Sequence, residues 1–236
     1  MKNLFILLVT IAAFTSVSAQ KKVYDENVEI RSAKDFHAVQ VAGGIDLLLT
    51  SGEEAVAVSA SENKYRDKIK VEVENGVLKI SYDDKSKFSF GDKKNLKAYV
   101  SYKTLDKLSA VGGCDVVVEG SIKSKDLSIN IIGGSEFKGN VEVENLNVEL
   151  IGGSDMEISG WAKKVNIEAT GGCDLSGYDL KTDVCEIKST GASDVDIAVS
   201  KEISSNATGA SDINYKGNPS VKNIKTSGAS SVTQKS

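Results

Sequence analysis

The chain has 236 residues, of which 40% are apolar, 26% charged and 6% aromatic, with a formal net charge of −4. That apolar content with so small a charge excludes a disordered chain, and 29 basic against 33 acidic residues exclude a cationic surface for nucleic acid. Three cysteines are too few for a disulfide scaffold at this length.

Residues 1–19 begin with Lys2, continue through an apolar run from Leu4 to Phe14 and close on Val17-Ser18-Ala19. A basic start, a short apolar core and small residues before a cut form a secretory signal peptide, so the mature chain is expected to begin at Gln20. The run is too short to span a bilayer comfortably, and no later stretch approaches 18 consecutive apolar residues, so no transmembrane segment is expected. No Cys follows the cut, which argues against a lipid-anchored N-terminus. The expected destination is the periplasm, the outer-membrane surface or the medium.

Residues 20–105 alternate apolar and polar side chains, as in Val56 and Val58, Ile69 to Val73, and Ala98 and Val100. Period two means strand. Asn75-Gly76 between two such runs is a hairpin signal, and Asp83 to Asn95 is polar enough to be a long surface loop. His37, the one histidine, excludes a multi-histidine site and is expected at the surface. The phrase Gly43-Gly44-Ile45-Asp46-Leu47 recurs in related form after residue 106, so this region reads as irregular first coils and an N-terminal cap for the repeats.

From residue 106 to 236 one pentapeptide repeats: Gly112-Gly113-Cys114-Asp115-Val116, Gly133-Gly134-Ser135-Glu136-Phe137, Gly152-Gly153-Ser154-Asp155-Met156 and Gly171-Gly172-Cys173-Asp174-Leu175. Three more copies start at Gly191, Gly209 and Gly228, with Ala at the second position, and the leading glycines fall 21, 19, 19, 20, 18 and 19 residues apart. Before each phrase the apolar residues alternate, as in Leu146, Val148 and Leu150. About 19 residues cannot hold a propeller blade, and no helical period appears. The expected fold is all-β: a parallel β-solenoid of the right-handed β-helix kind, each repeat one coil of strand, glycine corner, strand and loose polar corner. The first Gly, invariant within the chain, should need positive φ or close backbone approach, and the second only small size, so a β-branched residue should do more harm at Gly152 than at Gly153.

The Gly44-Ile45-Asp46 phrase, the Asn75-Gly76 hairpin leading to Leu78 and Ile80, and the phased Gly-Gly/Ala-Ser/Cys-Asp phrases resemble the auto-transporter adhesin head GIN domain family of exported bacterial proteins, common in Bacteroidetes. The resemblance covers nearly the whole mature chain and implies an all-β, solenoid-like adhesin domain of no established activity. The chain departs from the autotransporter part of that name, because it has no series of membrane-barrel strands.

Stacking turns the fourth phrase position into a column: Asp115, Glu136, Asp155, Asp174, Asp194 and Asp212, ending at Ser231. At about 4.8 Å apart, neighbouring charges repel by roughly 0.9 kcal/mol in water and about 3.5 kcal/mol at an effective dielectric of 20. Asx-type hydrogen bonds from each corner's backbone are the expected offset, with calcium between coils as the alternative. No other metal site is expected, since Cys114, Cys173 and Cys185 are scattered, the first two replacing Ser at the corner and the third facing the core. Catalysis is not expected: a regular ladder offers no split acid and base pair, and the repeats lack Arg. A glycosidase using two column carboxylates is the competing hypothesis.

Trp161, beside a loose corner, is read mainly as packing against the core end or the corner and alternatively as a platform for a sugar ring, while Tyr178 and Tyr215 are expected at the opposite corner, where they could form a shallow aromatic strip. The expected protein is an exported, non-enzymatic binding, adhesion or structural module, without cofactor, whose partner is a surface glycan or an envelope protein.

Overall fold

The computed structural model describes residues 25, 27–83 and 93–236. The expected signal segment and most of the polar stretch between Asp83 and Asn95 lie outside the described residues.

The N-terminal elements are β1 (Glu29–Arg31), β2 (Ala38–Ala42), β3 (Asp46–Ser51), β4 (Ala55–Ser59), a one-turn helix α1 (Asn63–Arg66), β5 (Ile69–Glu74), β6 (Val77–Tyr82), β7 (Lys97–Tyr102) and β8 (Lys107–Val111). Five long strands come next, β9 (Asp115–Ile132), β10 (Glu136–Gly152), β11 (Asp155–Gly171), β12 (Asp174–Gly191) and β13 (Asp194–Gly209), then β14 (Asp212–Lys216), β15 (Ser220–Gly228) and β16 (Ser231–Gln234).

Strands β9 to β13 are each one coil of the solenoid, paired in parallel with the next. The anticipated break at the loose corner is absent. Pairing continues around it because successive coils are nearly equal in length, and the surplus residue or two is absorbed by register shifts such as Glu157/Gly160 against β12. Gly120, Gly160 and Gly217 turn these corners at positive φ.

The glycine corners are where coils come closest. The leading glycine has positive φ in all seven copies, and from Gly171 onward an added Cβ would stand 2.4–2.5 Å from the carbonyl oxygen of the leading glycine one coil before. The same carbonyl accepts the N–H of the following corner's second residue, as in Ala192 to Gly171 at 2.7 Å. The second position differs along the rod. Gly113 and Gly134 also take positive φ, so small size is not the whole requirement there, whereas Gly153 and Gly172 do not.

The N-terminal strands stack in an order different from their order along the chain. Strands β2 and β3 make a coil through Gly43-Gly44 that lies directly on β8 and the first part of β9. Strands β6 and β7, later in sequence, pair with the other side of that coil. Outside them the direction reverses: β5 runs antiparallel to β6, β4 to β7, and β1 to β4. Reversal ends the parallel stack and leaves a short outermost strand, a usual way to blunt an edge.

The interior is filled by inward columns, for example Val116, Phe137, Met156, Leu175, Val195 and Ile213. Another runs Ile80, Val41, Ala110, Ile131, Leu150, Ala169, Ser189 and Ala207, with only small residues from Ala169 onward. Cys185 faces inward at 1% exposure, as its phase predicts. No helix among the described residues is long and apolar enough to cross a membrane.

Candidate functional site

The phrase's fourth position forms the expected column. Asp115, Glu136, Asp155, Asp174, Asp194 and Asp212 stand opposite one another in consecutive ladders, and Ser231 closes the row with a 2.6 Å hydrogen bond from its hydroxyl to Asp212. The row begins one coil earlier than the repeat count implies, at Asp46. The Leu47 to Val116 register sets Asp46 beside Asp115, and its partner on the other side is Lys97. The sequence signal was present in Gly43-Gly44-Ile45-Asp46, but Gly43 lies 69 positions before Gly112, and only the tertiary stacking makes the two corners neighbours.

The corner hydrogen bonds do not come from these carboxylates in the expected Asx manner. They come from the residue before: the hydroxyls of Ser135, Ser154, Ser211 and Ser230 donate to the carbonyl three residues back, at 3.0, 2.9, 3.1 and 2.6 Å. Cys114 and Cys173 use their thiols in the same way at 3.4 and 3.5 Å, which is why Cys replaces Ser there. The short side chain turns inward and gives its own hydrogen to a carbonyl that also accepts a backbone N–H from the neighbouring coil, as Ile151 does from Gly133 and Ile132 from Gly112, both at 2.9 Å. The Asp one residue on then points outward.

Burial, followed by the charges of Asp174 and Asp212, holds the Asp194 carboxyl above its ordinary value. Asp46 is raised in the same sense by burial and by Asp115, against Lys97. Other outward columns neutralise themselves across coils, as in Lys123–Glu142 at 2.8 Å and Lys188–Glu168 at 2.9 Å. Because the folded pKa of Asp194 is raised, its ionised form costs stability above that pKa, and the cost vanishes as pH falls toward the unfolded value. Asp194→Asn should therefore raise the urea midpoint at pH 7 by the equivalent of about 0.5 kcal/mol, and the gain should fade below about pH 4. A midpoint equal to wild type at pH 7 would refute crowding of like charges there. Among the described residues no three Asp, Glu, His or Cys side chains are grouped to hold a metal ion.

Trp161 is not packed into the core end. It is 42% exposed, because its position at the loose corner belongs to an outward column that reads Lys123, Glu142, Trp161, Lys181, Ala198 and Lys216 in register. It lines a concavity of about 420 Å³ together with Lys181, Thr182, Ala198 and Lys216. Tyr178 sits beside this corner, with Lys216 Nζ 4.8 Å from its ring centroid, and burial and a hydrogen bond to Asp196 raise its phenol. The strip of Tyr178 and Tyr215 expected at the opposite corner does not form: Tyr215 is 7% exposed and belongs to the core, and Tyr178 falls in the bulge between Gly177 and Lys181, on the same corner as Trp161. The two lysines and Ala198 were missed because corner lengths vary from coil to coil, which hides their alignment until the bulges are placed. His37 is at the surface, with Nδ1 3.0 Å from both oxygens of Asp106.

A parallel β-solenoid with an antiparallel cap, one edge lined by stacked carboxylates and the loose corner carrying an exposed tryptophan, is the class that fold and surface define. The chain belongs to the family "Putative auto-transporter adhesin, head GIN domain", whose model matches residues 35–219. A crystal structure of a "putative adhesin" from Bacteroides fragilis superposes with a TM-score of 0.81 at 21% identity, covering 89% of this chain and 98% of that one. Similar too are a "putative adhesin" from Parabacteroides distasonis (TM-score 0.70, 18% identity, 88% and 96% covered) and a "putative lipid binding protein" from the same species (0.68, 20%, 90% and 98%). No curated protein matches.

Proposed function

We propose that the chain is an exported, non-enzymatic adhesion module of the bacterial envelope that binds a surface glycan along the outside of its rod. The observation that carries this reading is the filled interior. With the inward columns packed, ligand contact falls to the outward ladders, which repeat at the spacing of the coils and suit an extended, repeating partner. Membership of an adhesin family and the signal-type N-terminus support it. The likeness to a protein named for lipid binding stands at 20% identity and bears on fold alone.

The test is a glycan array probed with the mature chain, followed by incubation of each bound glycan with the protein. Binding without release of reducing ends is expected. Absence of binding to any glycan, or sugar release abolished by Asp155→Asn or Asp174→Asn, would overturn the reading, the latter in favour of a glycosidase.

A further inference from the structure

We infer that the concavity beside Trp161 is a binding site for a carboxylated sugar, a short uronic-acid or sialic-acid segment of a glycan. This inference rests on the reading of the chain as a glycan-binding module and names the place and the ligand class. Its origin is a gap in a column. Along Trp161, Lys181, Ala198 and Lys216 each residue stands over the next in consecutive coils, and Ala198 is the one short side chain among long ones. The missing side chain leaves a notch flanked by two lysines, with the indole one coil further on. Trp161 to Lys216 is three coil steps, about 14 Å at the spacing of paired strands, which matches a short oligosaccharide rather than one ring.

The chemistry of the walls selects the ligand. An exposed indole offers an apolar face for the C–H face of a pyranose. Asp183, the carboxylate lining the notch, is already paired with Lys201 at 2.8 Å and accepts the Ser200 hydroxyl at 2.9 Å, and these bonds hold its carboxyl below the usual range. Among the described residues Lys181 has no ion-pair partner, and Lys216 is steadied over the Tyr178 ring. The notch is thus net positive on a chain whose overall charge is −4. Thr182, the residue after Lys181, takes the opposite phase: it pairs with the buried Ala162 and Val199 and faces the core.

Trp161 is the single tryptophan of the chain, so its fluorescence reports on this notch alone. The mature protein is titrated with trigalacturonate and a sialyl trisaccharide as acidic probes, a neutral galactose trisaccharide, and a hexaglutamate peptide. A saturable emission change is expected with an acidic sugar, at least tenfold weaker with the neutral sugar and the peptide, and weakened about tenfold by Lys216→Gln or Lys181→Gln. Ala198→Arg fills the notch from an outward position, so the fold should persist by circular dichroism while the response is lost. No response to either acidic sugar, equal response to the neutral sugar or the peptide, or binding indifferent to Ala198→Arg would overturn the site. Array binding that persists with unchanged Trp161 emission would reject this notch and leave the adhesion reading intact.

Discussion

Gly191→Val should cost more than about 4 kcal/mol, or leave the C-terminal coils unfolded, whereas Gly153→Val should cost on the order of 1 kcal/mol. Gly191 has φ of +104° and a new Cβ would lie 2.5 Å from the Gly171 oxygen, an atom held in place by the N–H of Ala192. A β-branched residue there meets both an unfavourable backbone conformation and a backbone atom that cannot yield without breaking the corner ladder. Gly153 has no such φ, its nearest contact is the Gly172 oxygen at 3.9 Å, and alanine already occupies the matching position in the last three copies. Gly152, at +93° with 3.4 Å to Gly133, should fall between them. Urea denaturation of the three variants orders them, and equal midpoints for Gly191→Val and Gly153→Val would refute the close-approach argument.

Phe137→Ala should cost about 3–5 kcal/mol, the range for a buried aromatic whose cavity does not collapse. The ring is fully buried between Val116 and Met156 in its column, and Gly139 leaves the space it occupies: a Cβ at 139 would sit 2.7 Å from the ring's Cζ. Coils held at the strand spacing by continuous ladders cannot close in along the rod, so the void should persist. Val117→Ala, on the outward neighbour at 42% exposure, should change stability by less than about 0.5 kcal/mol. A loss below about 1.5 kcal/mol for Phe137→Ala would mean that the coils relax around the gap.

Much of this architecture is legible without coordinates because a solenoid repeats one local problem. Leu127, Leu146 and Val165 alternate with polar neighbours at a fixed distance from each Gly pair, and equal distances can be satisfied together only if like positions stack. The acidic row from Asp115 to Asp212 comes from that spacing alone. The corner chemistry does not, since Ser154 and Asp155 both carry oxygen acceptors beside the same turn. Phase decides between them: Ser154 faces inward at 0% exposure and bonds Ile151, while Asp155 faces solvent.

The candidate sugar site was half visible. Trp161 and Tyr178 stand out by residue type, but their setting depends on bulges that shift the register between Glu157/Gly160 and between Gly177/Lys181. Until those shifts are placed, Lys181, Ala198 and Lys216 have no common column, and Tyr215 is indistinguishable from a surface aromatic.

By itself, then, the sequence determined the coil: its length, its inward and outward faces, its glycine turns and the identity of the residues that stack from 106 onward. Tertiary structure alone decided the order of the first coils, placing β6 and β7 outside β2 and β3 and bringing Asp46 to the head of the acidic row. The reason is physical. Within the repeats the next coil is the next segment of chain, so period predicts neighbourhood, whereas at the cap the strands β4 and β5 turn back antiparallel and the pairing partner is set by which edge remains open.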